Sequence, residues 1–285
     1  MGINRKVKKK HQYNYGMEIT AYTWYFLITS LMISLALLVF IAVLIKHYIR
    51  TKSPGTILLV FTYSLITFAE ISNTIGLWYY VFVSEISLVS GYFELSFAFY
   101  YGLAYVFLYF FANRHILEDN DLIKSLTSVG ITVLVSVTTA LMFMELINHP
   151  TNPFYYNEFI MNGPNIIQFT PSLVIGSIIF IPIFTLVHLR IIISLAKLRK
   201  SIEDKFTKRG FNFILFAVVS FVAAALVASF FTLPNVGNQP AIITLLHTLR
   251  IILMLIGIGL SYIGWTMPNW MKKLLTKTKE EENIE

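Results

Sequence analysis

The chain has 285 residues, of which 56% are hydrophobic and only 13% charged, and its mean hydropathy is +0.68. A soluble domain carries about 25% charged residues, so this composition excludes an ordinary water-solvated fold and points to lipid as the solvent. The formal net charge is +7, but the basic residues sit in short clusters between apolar runs, as membrane topology demands, and nucleic-acid binding is not expected. There is no cysteine, which removes disulfides, thiolate-ligated metals and thiol catalysis together.

A membrane-crossing helix needs about 20 apolar residues. Such runs lie at 22–46, 57–83, 91–112, 123–147, 169–195, 211–233 and 241–266. The expected fold is all-α, a single bundle of seven transmembrane helices over 22–270, with a basic tail at 1–21 and a short charged tail at 271–285. The first run, Tyr22 to Ile45, has no charged residue. It is too long for a signal-peptide core and reads as a retained helix. The fourth and sixth runs are rich in Val, Ala, Ser and Thr and suit close packing. Pro182 falls inside the fifth and is expected to kink it as a hinge. Gly257, Gly259 and Gly264 in the seventh are expected to admit a neighbouring helix.

Orientation follows from lysine and arginine. If the amino terminus is outside, the inner segments hold Lys46, Arg50 and Lys52, then Arg114 and Lys124. They also hold the cluster from Arg190 to Arg209 and the tail lysines 272, 273, 277 and 279. The linkers between helices 2–3, 4–5 and 6–7 hold none, so the carboxyl terminus is expected in the cytoplasm. Arg5, Lys6, Lys8, Lys9 and Lys10 oppose this orientation. A start at Met17 removes the conflict, and residues 1–16 are read as an extension or a tolerated outer tail.

Ionisable groups deep in a bilayer cost about 2.5–3.5 kcal/mol on insertion scales and mark function by default. Glu70, Glu94, His247 and Arg250 qualify. Glu70 and Asn73 are three apart, as are His247 and Arg250, so each pair shares a helix face. Glu94, Tyr101 and Tyr105 form a comparable line on the third helix. An ion pair between Glu70 and Arg250 is expected, with Glu94 and His247 nearer the outer mouth. The candidate ligand-binding set is Glu70, Asn73, Glu94, Tyr101, His247 and Arg250. Arg250 and His247 suggest an anionic ligand. Three uses of the cluster stay open: a ligand or ion site, a proton pathway, and packing glue that fixes helix register.

Glu85, Glu145 and Glu158 read as solvated at the outer interface, and His188 and Arg190 as snorkelling at the inner end of the fifth helix. The outer segment 148–168, with three prolines and several aromatics, reads as a lid or an interfacial anchor. The inner stretch 190–209 reads as an extension of the fifth helix with Leu195, Leu198 and Ile202 on one face. It is expected to meet headgroups or a cytoplasmic signalling protein.

No cofactor or metal is implied. The seventh run lacks the lysine a retinal Schiff base needs, no HExxH cluster is present, and no phosphate-binding glycine loop occurs. The acidic string EDND at 118–121 has no matching second string and reads as a solvated turn. Asp119, Asp121 and Asp204 all fall on the inner side, so no Ser/His/Asp triad can form. The expected function is non-enzymatic: a plasma-membrane receptor or sensor taking a small ligand from outside and signalling through its basic inner loops. The alternatives are a proton-coupled transporter using Glu70 and Glu94, and a scaffold without a ligand.

Overall fold

A computed structural model describes residues 21–83, 88–117, 119–148, 171–230 and 240–266. The basic tail at 1–20, most of the 148–168 segment, Glu118 and the carboxyl-terminal tail lie outside the described residues.

Among the described residues all regular secondary structure is helical. The helices are α1 (Ala21–Thr51), α2 (Pro54–Phe82), α3 (Leu88–Ala112), α4 (Asp121–Asn148), α5 (Pro171–Ser201), α6 (Lys205–Phe230) and α7 (Pro240–Thr266). A single π-helical turn, Asn113–Leu117, continues α3. Six of the helices are long and apolar enough to cross a membrane: α1, α2, α3 with its π turn, α4, α6 and α7. The protein is therefore an integral, multi-pass helical membrane protein.

The linkers at one end are short and chemically defined. Lys52 adopts a positive φ of 51° between α1 and α2, and Pro54 opens α2 at a position where its missing N–H is not needed. Asn120 caps α4 by accepting the Ile123 N–H at 2.8 Å. Asp204 caps α6 by accepting the Thr207 N–H at 2.7 Å. These turns force successive helices to run antiparallel. Each helix packs on the one before it, and α1 also packs on α7, which closes the series.

Every described Lys and Arg except Arg250 belongs to the end formed by these linkers, hereafter the basic end. On that side of the bundle an apolar cluster fills much of the core. Ile33, Leu37, Phe40 and Leu44 of α1 pack with Leu59 and Tyr63 of α2, Phe111 of α3, Ala224 of α6, and Ile251, Met254 and Ile258 of α7. Lipid-facing positions such as Leu35, Val39, Phe68, Val133, Phe216, Leu245 and Ile252 are exposed and apolar, as a bilayer solvent requires.

Two glycines set helix spacing. A Cβ at Gly264 would sit 3.1 Å from the Ile214 backbone nitrogen and 3.3 Å from the Gly210 carbonyl, so α6 and α7 touch backbone to backbone there. Gly257 also meets α6, at Phe221. Gly259 does not: nothing lies within 4 Å, and it faces outward. The expectation that all three glycines admit a neighbour therefore holds for two, because the close approach follows one face of α7.

Candidate functional site

Near the middle of the bundle α2, α3 and α7 each place one polar side chain toward the interior. Arg250 Nη2 donates to Glu70 Oε1 at 3.1 Å, and the Tyr101 hydroxyl donates to the same oxygen at 3.1 Å. The Glu70 side chain is 1% exposed and that of Arg250 12%. The expected pair thus exists, and Tyr101, in the same candidate set, shares its acceptor. Taking two charges out of water is costly, and mutual attraction with added hydrogen bonds is what makes such a pair tolerable. Tyr101 supplies one such bond.

His247 is drawn elsewhere. Its Nε2 lies 3.1 Å from Thr29 Oγ1 on α1, and its ring packs on Phe26 at 4.1 Å and Tyr25 at 5.7 Å. The next residue, Thr248, bonds the Tyr25 hydroxyl at 2.6 Å. This cluster seams α7 to α1 and leaves His247 4% exposed. Its position one turn from Arg250 is as expected, but the ring serves the helix seam.

Asn73 and Glu94 stand apart from the pair. On α2, Thr74 faces α1, where its hydroxyl meets Ser34 at 2.9 Å, and Gly76 faces α3, abutting Phe93. Asn73 falls between these directions, on the interior side. On α3, Glu94 is seven residues from Tyr101, within about 20° of the same direction at 100° per residue. The exposed positions Leu88, Tyr92, Phe99 and Phe110 lie on the opposite side. Glu94 therefore faces inward, farther from the basic end than Tyr101. The contact of Gly76 with Phe93 sets Glu94 within about 3 Å of Asn73 along the axis. Asn73 is 6% exposed, and Glu94 is half-buried. Neither forms a side-chain hydrogen bond or ion pair with a described residue.

Toward the basic end, α3 carries a second network that the sequence did not reveal. Tyr105, one turn below Tyr101, packs against Phe184 at 4.5 Å and His188 at 5.5 Å on α5. Tyr109, one turn further, donates its hydroxyl to Asp119 Oδ2 at 2.9 Å and accepts from Asn113 Nδ2 at 3.4 Å. Asp119 is also ion-paired to Arg190 of α5.

Three sequence expectations are corrected here. Asp119 is not part of a solvated turn, since its side chain is 6% exposed. Arg190 does not snorkel freely but holds that carboxylate. His188 is buried, with Nδ1 2.8 Å from the Phe184 carbonyl. The signal available in the sequence was the four-residue spacing of Tyr101, Tyr105 and Tyr109, which marks one helix face. The partner 71 residues away had no local signature. Pro182 lies within α5, and its side chain is outside the described set. Among the described residues no three His, Asp or Glu side chains gather as a metal site would need.

No family model matches the chain, and no curated protein and no solved structure matches it. What it does must be argued from the arrangement itself.

Proposed function

We propose that this protein is a seven-helix membrane receptor or sensor, with α5 as the seventh crossing, its amino terminus outside and its basic end in the cytoplasm. The plasma membrane is the membrane that fits a ligand arriving from outside. The ligand enters between α2, α3 and α7 from the end opposite the basic residues, and rests on the inward surface that carries Asn73, Glu94 and Tyr101. The observation that carries this reading is an asymmetry about the Glu70–Arg250 pair. On the basic side the inward hydroxyls of Tyr63 and Tyr109 are bonded to Ser261 and Asp119 within apolar packing, whereas on the other side Asn73 and Glu94 form no side-chain bond with a described residue. Buried polar groups are ordinarily bonded, and exceptions call for a reason. Intramembrane acids likewise point to function by default.

The line Tyr101, Tyr105, Tyr109 supplies a route for the signal. It joins the central pair to α5 and then to Asp119 and Arg190 at the basic end, where a cytoplasmic protein would read the change. This is a proposed coupling path, and its physical warrant is packing contiguity.

The absence of native cysteine gives a clean test. Ala98 lies one turn from Glu94 on the same α3 face and is half-buried. An Ala98→Cys chain in sealed, oriented vesicles is exposed to a membrane-impermeant maleimide on one side or the other, with Lys197→Cys marking the basic side. The receptor reading expects labelling of position 98 only from the side opposite Lys197. Labelling from both sides favours the carrier alternative. No labelling from either side leaves the cluster as packing glue, and labelling only from the basic side overturns the direction of entry.

A further inference from the structure

The geometry points to a small organic cation, a protonated amine, as the class of ligand taken by the interior surface of Glu94 and Asn73. This rests on the receptor reading above and reverses the sign suggested by Arg250 and His247 in the sequence. Arg250 is neutralised by Glu70 at 3.1 Å, so the pair contributes no net charge to the interior. His247 is occupied with Thr29 and the rings of α1. The ionisable group that remains on the interior face is Glu94, which no described cation faces.

The described surroundings agree with that sign. Glu145 lies near the same end of α4, and no described Lys or Arg is found there. The linking segments 84–87, 149–170 and 231–239 contain Glu85 and Glu158 and no lysine or arginine. The amino-terminal run Arg5–Lys10 places five basic residues at the same end, so the preference for a cation rests on Glu94 and the groups beside it. Asn73 offers an amide oxygen to an ammonium N–H. Phe97, whose ring lies 5.0 Å from that of Tyr101, offers an aromatic face of the kind that attracts cations. The acceptors for an ammonium are therefore present, while among the described residues of the interior the strong donor to an anion, Arg250, is already bound.

The test compares two thiol reagents of opposite charge on Ala98→Cys. These are the cationic trimethylammonioethyl methanethiosulfonate and the anionic sulfonatoethyl methanethiosulfonate. Each rate is divided by that of the same reagent with 2-mercaptoethanol, which removes their intrinsic difference. With Glu94 present the cation should react about tenfold faster or more, as a unit charge at close range in a partly dry site implies. In Ala98→Cys/Glu94→Gln the ratio should fall to about one. In parallel, 2-phenylethylammonium should slow a neutral methanethiosulfonate at position 98, and 3-phenylpropanoate should not. Loss of this protection in the Glu94→Gln background is expected.

A ratio at or below one with Glu94 present, a ratio unchanged by Glu94→Gln, or protection by the carboxylate instead overturns the assignment of charge while leaving the interior site standing. Failure of both charged reagents and of the neutral one removes the interior site itself. If Ala98→Cys does not fold, Asn73→Cys carries the same comparison.

Discussion

Among the described residues two arginine–carboxylate pairs brace this bundle, and they sit in different surroundings. Glu70 and Arg250 meet near the middle of the membrane, 180 residues apart in sequence, with 1% and 12% of their side chains exposed. Asp119 and Arg190 meet at the basic end, where the arginine is 44% exposed and the carboxylate 6%. Both acids also accept a tyrosine hydroxyl from α3, from Tyr101 and from Tyr109. The chemistry is thus repeated, while the dielectric differs. In the middle, an unpaired charge has no water to turn to, so the pair is obligatory. At the end, Arg190 reaches solvent, so the pair can open at modest cost. The central pair is therefore suited to hold the fold, and the pair at the basic end to change state.

Breaking the two pairs should expose the difference. Arg250→Gln leaves a buried, uncompensated Glu70 and should cost about 3–5 kcal/mol, read by denaturation in mixed micelles. Glu70→Gln added to it should recover much of the loss, because the remaining buried groups are then neutral. Arg190→Gln should cost about 1–2 kcal/mol, since Asp119 keeps the Tyr109 bond and Arg190 itself is largely solvated. Equal costs would mean that the central pair is as wet as the peripheral one.

A smaller effect sharpens how tightly α7 is seated beneath the central pair. Gly264→Ala should lose about 1–3 kcal/mol, because the new methyl meets α6 backbone that has little room to move. Gly259→Ala should be neutral or gain up to about 1 kcal/mol from helix propensity, since the position is open. Similar values for the two would show that the α6–α7 contact is looser than described.

Much of this arrangement was legible in the sequence, and the rest was not for identifiable reasons. Six of the helices follow from apolar runs whose lengths match the bilayer, and α1 overshoots its run at 22–46 because Lys46 and Arg50 are good helix formers that suit an interface. The pairing of Glu70 with Arg250 follows because an acid and a base at similar depth have few other partners. The direction of His247 did not follow: helix spacing puts it one turn from Arg250, yet Thr29 and Phe26 on α1 decide where its ring packs. Asp119 looked solvated because its immediate neighbours are polar. Its burial comes from Tyr109 and Arg190, which only the folded chain brings together. Gly259 looked like its neighbours because composition does not say which face of α7 meets α6.

The most direct test of the account compares two alanines on the same side of α3, one on either side of Tyr101. Ala98 is half-buried, and Ala112 is 0% exposed, packed with Ile191, Leu195 and Ile214. The measurement is the rate at which a neutral, water-soluble thiol reagent modifies Ala98→Cys and Ala112→Cys in the folded protein. If the interior is open only beyond the Glu70–Arg250 pair, position 98 should react faster by about tenfold or more, because a thiol at 112 must wait for local opening of the packed core. Equal rates, or a faster reaction at 112, would contradict an interior site on the side away from the basic end.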